Sequence, residues 1–201
     1  MIVIGLCGGS GSGKGTVCSY WEKLGVPSID TDAVYHTITA GPGRCLSELS
    51  SVFGDRIINS SGGLERRVLA DIVFSSADSI KNRILLNEIT HRHILSATRD
   101  QLAEYERAGY KAAIVDAPLL FESGFHKECD VTVAVIADRE ARLSRIIARD
   151  GLSLEAAQRR INSQMSDEEL ISRSDYVIYN NGATVDLAEK VRAVHDRIFN
   201  N

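Results

Sequence analysis

The segment GLCGGSGSGKGTV, residues 5–17, determines what architecture this chain can adopt. It nearly matches the pattern G-x-x-x-x-G-K-[ST], in which the backbone N–H groups of a glycine-rich loop surround phosphate oxygens and a lysine adds positive charge. Gly13 and Lys14 fit the pattern, but Gly15 stands where a hydroxyl is expected, and the hydroxyl comes one residue later at Thr16. The segment therefore predicts a nucleoside triphosphate site with an unusual metal contact. The alternative is a glycine-rich turn that happens to precede a lysine.

The sequence on either side of the loop supports the phosphate-binding interpretation. The apolar, β-branched run at 2–7 predicts a buried strand, and the pattern of 14–25 predicts a helix. Further strands are predicted at 26–30, 112–118, 131–136 and 176–179. Continuous apolar strands that alternate with helices indicate a parallel sheet covered on both faces. We therefore expect an α/β three-layer sandwich of the P-loop NTPase type, with about five parallel strands.

The central part of the chain has a different character. Its helical periodicity, without a strong strand, predicts a helical insertion, and its segment 79–109 is either one long helix or a broken pair. The expected organisation is a nucleotide-binding core of residues 1–31, 111–137 and 171–201, an acceptor-binding insertion of 32–110, and a small helical lid of 138–170.

Composition narrows the class of protein. A chain of 201 residues with 25% charged residues and a net charge of −4 is typical of a globular protein and argues against one that coats nucleic acid. The four cysteines are scattered without a C-x-x-C pair, which indicates free thiols. No apolar stretch approaches the roughly 18 residues that a membrane helix needs. We expect a cytoplasmic monomer or weak homo-oligomer with small-molecule partners and neither nucleic acid nor membrane as a partner.

The loop residues are the candidates for binding ATP. They are Gly9, Gly11, Ser12, Gly13, Lys14, Gly15 and Thr16. Because Gly15 removes the hydroxyl that usually ligates Mg²⁺, the metal is expected on phosphate oxygens and water, which suits the reluctance of Mg²⁺ to lose its waters. Thr16 and Asp116 are the candidate metal residues, acting through water. The string GKGT resembles the loops of nucleoside monophosphate kinases.

Carboxylates come directly after two of the predicted strands. In an open α/β sheet, ligands bind beyond the carboxyl ends of the strands, where Asp30, Asp32 and Asp116 fall. A kinase needs a carboxylate that orients the acceptor hydroxyl and accepts its proton, and another near the metal. For Asp30 and Asp32 the alternative is capping of the next helix. His36 lies one helical turn after Asp32, so it either faces the same cleft or lies on the helix surface.

Four arginines lie on one face of a predicted helix. They are Arg139, Arg142, Arg145 and Arg149. Like charges at this spacing repel each other, so one explanation of the cluster is that it binds an anionic ligand. A helix in a lid that closes over phosphates would place the arginines against such a ligand. The alternative is a solvated face balanced by neighbouring acidic residues. The HRH string at 91–93 lacks the spacing of a helical metal site.

Several segments together resemble the dephospho-CoA kinase family. Besides the loop, they are IDTDAVYH (29–36), GGLERRVLADIVF (62–74), VDAPLLFESG (115–124), RDGLSLEAAQRRINSQ (149–164) and DYVIYNNG (175–182). The resemblance implies ATP-dependent, Mg²⁺-assisted phosphorylation of the ribose 3′-hydroxyl of dephospho-CoA, which gives CoA and ADP and is the last step of coenzyme A biosynthesis. The chain departs from the family pattern at Gly15, Asn87, Arg92 and Arg142.

The resemblance also implies roles for individual residues. Asp32 is the expected base, Lys14 acts in catalysis and binds ATP, and Asn180 contacts ATP. The arginine face, and not the resemblance, is the reason for expecting Arg139 and Arg142 in catalysis and Arg145 at ATP. The acceptor contacts are expected at Asp32, His36, Arg66, His91, Asp116, Leu119, Phe121 and Glu122. A nucleoside or nucleotide monophosphate kinase is the alternative enzyme. A nucleotide-binding regulator is the alternative from another class, although the guanine-reading string N-K-x-D is absent from the sequence.

Overall fold

The computed structural model describes residues 1–75, 78–181 and 184–200. The strands are β1 Ile2–Cys7, β2 Ser28–Asp30, β3 Ala112–Asp116, β4 Val131–Ile136 and β5 Tyr176–Tyr179. The α-helices are α1 Lys14–Lys23, α2 Thr31–Ile38, α3 Arg44–Phe53, α4 Arg66–Ser75, α5 Ser79–Arg107, α6 Arg139–Asp150, α7 Leu154–Asn162, α8 Asp167–Arg173 and α9 Thr184–Phe199. Short 3₁₀ turns occupy Asp55–Ile57 and Phe125–Glu128. Gly182, in the last motif, and Asn201 lie outside the described residues.

The strands form one sheet in the order β2-β3-β1-β4-β5. The pairs β1–β3, β1–β4 and β4–β5 are parallel, with Ile4 opposite both Ile114 and Val131. The predicted parallel α/β sheet of five strands is therefore confirmed. Because parallel strands end at the same edge, the loop after β1 and the residues just after β3, β4 and β5 share one edge of the sheet.

The chain divides into two compact units. The first consists of Met1–Ile29 and Ala103–Asn201 and contains the sheet apart from the last residue of β2. Its strands are buried on both faces, as shown by the consecutive residues Val133, Ala134 and Val135, each fully buried. This double burial explains why the strands are continuously apolar and do not alternate. Within the same unit, α1 and α9 pack together, and the indole Nε1 of Trp21 donates a hydrogen bond to the carbonyl of Val191 at 3.2 Å.

The second unit, Asp30–Leu102, is helical. Leu49, Ile57 and Val73 are fully buried and form a core of their own with residues of α3, α4 and α5. For segment 79–109 the sequence left two alternatives, one long helix or a broken pair of helices. The structure has the single helix α5 there, which contains neither proline nor glycine between its ends. The predicted insertion at 32–110 overlaps this unit, and the predicted lid at 138–170 contains α6 and α7. That three-part division stays a prediction.

No helix in the described ranges is long and apolar enough to cross a membrane.

Candidate active site

The glycine-rich loop connects β1 to α1, as the sequence predicted. Gly13 is the N-cap of α1 and has φ of 98°, a left-handed conformation that favours glycine. In the described residues no side chain caps this helix, so the N–H groups of Lys14 and Gly15 are available to an anion at its positive end, whereas the Thr16 N–H donates to the Gly13 carbonyl at 3.1 Å. An added Cβ at Gly13 would overlap the side-chain amide of Asn180, so both backbone conformation and space require glycine there.

Lys14 lies over the loop beside a carboxylate. Its Nζ donates a hydrogen bond to the carbonyl of Gly8 at 3.1 Å and lies 3.7 Å from Oδ1 of Asp116, at the end of β3. Both charged side chains are largely buried, with exposed fractions of 14% and 15%. The carboxylate thus offsets the cost of removing the ammonium from water. The arrangement holds a positive charge at the mouth of the loop, where phosphates would bind.

Ser12 supplies a polar atom inside the loop. Its side chain is buried, and among the described residues its Oγ has no hydrogen-bond partner. A buried hydroxyl without a partner is costly, so this atom fits a loop that completes its hydrogen bonds with phosphate oxygens. Gly15 and Thr16, in contrast, are exposed at the start of α1. A Cβ at Gly15 would meet no atom of the described residues within 4 Å, so there is open space where a metal-bound water could lie.

Two of the four predicted arginines hold the loop. Arg142 is 4% exposed and donates from Nε to the carbonyl of Ser10 at 3.0 Å and from Nη1 to Oδ1 of Asp167 at 2.9 Å. Arg145 donates from Nη1 to the carbonyl of Gly11 at 3.0 Å. The expectation of a single arginine face, either ligand-bound or solvated, does not describe Arg142, whose guanidinium is inside the protein and bonded to the loop backbone.

The other two arginines of this helix are exposed and have different partners. Arg139 donates from Nη2 to Oδ1 of Asn162 at 2.8 Å. Arg149 pairs with Asp150 through two hydrogen bonds of 2.7 and 2.9 Å. The hydrogen bond to the carboxylate raises the pKa of Arg149, and the same bond lowers the pKa of Asp150. For Arg149 this is the solvated, acid-balanced arrangement that was the alternative in the sequence.

Asn180 connects the loop to the end of β5. Its Nδ2 donates to the carbonyl of Ser12 at 2.7 Å, and its own carbonyl accepts from Nη2 of Arg145 at 3.1 Å. Its backbone N–H donates to the carbonyl of Ile136 at 2.7 Å, which ties the residue to β4. Asn180 and Arg145, both predicted at the nucleotide site, are thus brought together around the loop.

Sequence reasoning missed Gln164 as a member of this site. Its Oε1 accepts from the backbone N–H of Ser10 at 2.8 Å, and its Nε2 donates to the Ser10 hydroxyl at 3.2 Å. Nη2 of Arg142 also donates to Gln164 Oε1, at 3.3 Å. A single glutamine just after a helix gives no periodic signal, and its partner lies 154 positions earlier.

The segment after β3 has mixed exposure. Leu119 is 46% exposed and Glu122 is exposed, whereas Phe121 is 7% exposed. The Phe121 ring lies 5.1 Å from the ring of His126, and the guanidinium of Arg173 lies over it at 5.8 Å. Leu119 and Glu122 are therefore accessible to an acceptor, while Phe121 also has a packing role within the first unit.

The remaining acceptor candidates belong to the second unit. Asp30 is the N-cap of α2, and its Oδ1 accepts from the backbone N–H of Asp32 at 2.9 Å and of Ala33 at 3.2 Å. Capping, the alternative for both aspartates, thus describes Asp30, while the Asp32 carboxylate is exposed in the first turn. His36 Nε2 lies 3.1 Å from Nη1 of Arg66.

Arg66 also lies over the ring of Tyr35 at 5.7 Å, and the His36 contact brings two predicted acceptor residues together. His91, the other predicted residue of this unit, is half-buried on α5.

Burial raises the pKa of all four cysteine thiols in this fold. All four are unpaired thiols, as predicted. Cys18 lies beside the site, with its Sγ 4.0 Å from Oδ2 of Asp116. Burial, reinforced by the negative charge of Asp116, raises the Cys18 pKa to about 12. A thiol that keeps its proton is a poor nucleophile, so the chemistry of the site rests on charge and on carboxylates.

Comparisons with known proteins agree with this geometry. Residues 2–186 match the family model described as dephospho-CoA kinase. A dephospho-CoA kinase of Corynebacterium efficiens is 40% identical over 199 residues, covering 99% of this chain and 96% of the relative. One of Saccharomyces cerevisiae is 37% identical, covering 98% and 83% of the two chains.

Solved structures are similar as well. The dephospho-CoA kinase from Campylobacter jejuni has a TM-score of 0.72 and 28% identity, covering 98% of this chain and 96% of that one. A shikimate kinase from Acinetobacter baumannii has a TM-score of 0.54 at 18% identity, covering 100% and 94%, and supports the P-loop kinase fold alone. The match spans nearly the whole chain and includes the loop, Lys14 and Asp116, so the chain belongs to the dephospho-CoA kinase family.

Proposed function

We propose that this protein transfers the γ-phosphoryl group of ATP to the ribose 3′-hydroxyl of dephospho-CoA, producing CoA and ADP in the last step of coenzyme A biosynthesis. One observation carries the proposal: Lys14 and an uncapped helix N-terminus form a phosphate-binding loop in a chain that matches the dephospho-CoA kinase family over residues 2–186. The identity of the acceptor is inferred from the relatives, which are dephospho-CoA kinases. The loop supplies the donor, because it is built to hold a polyphosphate.

On the donor side, the loop's N–H groups and Lys14 bind the phosphates of ATP. The ammonium of Lys14 leaves the carbonyl of Gly8 and stabilises the negative charge of the transferring group. Arg145 and Asn180 hold the loop in the conformation that points its N–H groups at the phosphates. Bound Mg²⁺ would neutralise charge on the β- and γ-phosphates, and the exposed hydroxyl of Thr16 and the carboxylate of Asp116 would hold it through water.

On the acceptor side, Asp32 is the base. The 3′-hydroxyl oxygen attacks the γ-phosphorus, the bond between that phosphorus and the β,γ-bridging oxygen breaks, ADP leaves, and the hydroxyl proton passes to the Asp32 carboxylate. Exposure of Asp32 and its place in the first turn of α2 support this role. The other acceptor contacts that we propose are His36, Arg66, His91, Asp116, Leu119, Phe121 and Glu122. Arg139 and Arg142 serve the transferring phosphoryl group, Arg142 through the loop that it holds.

The physiological setting is inferred from the substrates. Both are small, water-soluble nucleotides, and we place the enzyme in the cytoplasm. There it acts as a monomer or weak homo-oligomer without nucleic acid or membrane as a partner.

The activity is tested by ADP release with dephospho-CoA as acceptor, against AMP, CMP and nucleosides at equal concentration. We expect dephospho-CoA to be preferred by at least about 100-fold in kcat/KM, because a pocket specific for a large acceptor gains about 3 kcal/mol or more from the additional contacts. Equal or faster turnover of any of the smaller acceptors would contradict the proposal.

Matched variants test the base. Asp32→Asn removes the proton acceptor, and we expect kcat to fall about 100-fold or more while ATP still binds. Asp30→Asn is the control, because asparagine also caps helices and the Oδ1 atom that accepts from Asp32 N–H is kept. Its kcat should stay within about threefold of the unmodified enzyme. If Asp32→Asn turns over normally, another group is the base.

A further inference from the structure

The residue Ser10, at the tip of the phosphate loop, is held by the segment after α7 and by the helices around it. Its backbone N–H donates to Gln164, its carbonyl accepts from Arg142, and its hydroxyl accepts from Gln164 at 3.2 Å and from Nε of Arg160 at 3.1 Å. Every polar atom of Ser10 therefore has a partner between positions 142 and 164. The loop is shaped from outside as well as by its own glycines.

Gln164 is the member of this group that contacts Ser10 twice. The amide oxygen and the amide nitrogen of one side chain bind the backbone and the hydroxyl of the same residue, which fixes the orientation of the Ser10 peptide group. The Gln164 oxygen also accepts from Arg142, and Arg142 is anchored by Asp167. A side chain that is fixed by a buried arginine and in turn fixes a loop peptide is a suitable positioning device.

The orientation of the Ser10 peptide matters for ATP because the next residue of the loop is Gly11. Gly11 has φ of 78°, and its N–H belongs to the peptide group that starts at the Ser10 carbonyl. The carbonyl is directed at Arg142, so the Gly11 N–H points to the opposite side of the peptide group. Releasing Ser10 would let this peptide group rotate, and the Gly11 N–H would turn away from the direction that it has here.

We propose that Gln164 is a positioning residue for ATP: it holds Ser10 so that the loop presents its N–H groups to the phosphates before the nucleotide arrives. The inference rests on the proposed function for the identity of the donor, but it concerns only the nucleotide half of the reaction. It assigns Gln164 no contact with the acceptor. Loss of its amide therefore weakens ATP binding and leaves the acceptor KM unchanged.

The test uses Gln164→Met, which keeps the length of the side chain and removes both hydrogen-bonding groups. Loss of the two hydrogen bonds to Ser10 predicts a rise of about tenfold in the ATP KM and in the dissociation constant of a non-hydrolysable ATP analogue, with the dephospho-CoA KM within about twofold of the unmodified enzyme. Gln158→Met is the matched control, because Gln158 is also half-buried and lies on α7. It should leave both KM values unchanged.

Gln164→Glu provides the rescue. The carboxylate keeps an oxygen for the Ser10 N–H and can accept from the Ser10 hydroxyl, and Arg142 beside it offsets the added charge. We expect its analogue affinity to lie closer to that of the unmodified enzyme than to that of Gln164→Met. If both variants bind the analogue as tightly as the unmodified enzyme, or if the acceptor KM rises as much as the ATP KM, the positioning role is wrong.

Folding and function are separated by two further measurements. If Gln164→Met does not fold, Ser10→Ala carries the test, because it removes only the hydroxyl that accepts from Gln164 and Arg160. It should weaken analogue binding about threefold, and unchanged binding would overturn the inference. If the unmodified enzyme binds the analogue but does not phosphorylate dephospho-CoA, the proposed function fails, while the comparison of analogue affinities still decides the role of Gln164.

Discussion

Asn180 donates its side-chain amide to the carbonyl of Ser12 at 2.7 Å, across 168 positions of sequence. The donor is at the end of β5 and the acceptor is inside the phosphate loop, so this one hydrogen bond connects the last strand of the sheet to the loop after the first. Asn180 is 7% exposed, which means that water is poorly placed to replace the amide. The loop therefore depends on the sheet for its conformation.

Truncating that amide should affect both stability and nucleotide binding. Asn180→Ala leaves the Ser12 carbonyl with only its longer hydrogen bond, from Nη1 of Arg145 at 3.4 Å, which predicts a loss of about 1–3 kcal/mol in the free energy of unfolding and an ATP KM raised several-fold. Urea denaturation and steady-state kinetics measure these two quantities. Asn181→Ala is the control, since its hydrogen bonds to Asp138 are exposed and should contribute less than about 1 kcal/mol. Equal effects at the two positions would contradict the assignment.

Gly13 and Gly15 should differ in how well they tolerate substitution by alanine, because only Gly13 lacks room for a Cβ atom. Gly13→Ala forces a side chain into a left-handed conformation and into the space of the Asn180 amide. We therefore expect the free energy of unfolding to fall by at least about 2 kcal/mol, and most of the ATP affinity to be lost. Gly15→Ala enters open space in the first turn of α1, where alanine is the better helix former. It should be as stable as the unmodified protein or slightly more so. Thermal unfolding in the presence and absence of ATP distinguishes the two variants, and similar melting temperatures would show that Gly13 is not required for its conformation.

Much of the nucleotide half could be predicted from the sequence because its signals are local. The apolar runs at 2–7 and 131–136 identify buried strands, and the glycine spacing identifies the loop between strand and helix. These features depend on neighbouring residues alone, and the structure has them where the patterns predict them.

Interactions between distant residues could not be predicted in the same way. By its helical spacing Arg142 is expected on the surface. It can be buried because the Ser10 carbonyl and the Asp167 carboxylate accept hydrogen bonds from its guanidinium. Asp30 and Asp32 are chemically identical two residues apart, and only the backbone of α2 decides that Asp30 is the cap. Both residues are exposed, and which carboxylate caps the helix is a property of dihedral angles that the sequence pattern does not contain.

Adding a hydroxyl at position 15 should change how the reaction rate depends on Mg²⁺ concentration. Gly15→Ser places a hydroxyl where most loops of this type ligate the metal, and the open space around Gly15 accommodates it. We expect kcat at saturating Mg²⁺ to stay within about threefold, while the Mg²⁺ concentration that gives half-maximal rate falls, because a direct ligand adds to the metal's affinity. The measurement is initial rate against free Mg²⁺ at fixed ATP. Gly15→Ala is the control without a hydroxyl, and the same Mg²⁺ dependence for both variants would show that position 15 does not reach the metal.

The buried thiols should make the protein less stable in alkali. Burial raises the pKa of Cys18 to about 12, whereas in the unfolded chain the thiol titrates near 9.0. Above pH 9 the unfolded state therefore releases a proton that the folded state retains, so the stabilising contribution is complete below pH 9 and is lost as the pH rises toward 12. The expected slope is at most about 1.4 kcal/mol per pH unit for each such thiol.

Urea denaturation at pH 8, 9 and 10 checks this slope. Cys18→Ala should show a shallower decline than the unmodified protein between pH 9 and 10, whatever its absolute stability, because one of the proton-retaining groups has been removed. Ser19→Ala, a neighbouring substitution without a titrating group, should keep the original slope. Alkylation by iodoacetamide gives a second readout: at pH 8 the Cys18 thiol should react much more slowly in the folded protein than in urea, because little thiolate is present. An identical slope for Cys18→Ala and the unmodified protein, together with fast alkylation of the native thiol, would show that Cys18 ionises at its ordinary pKa.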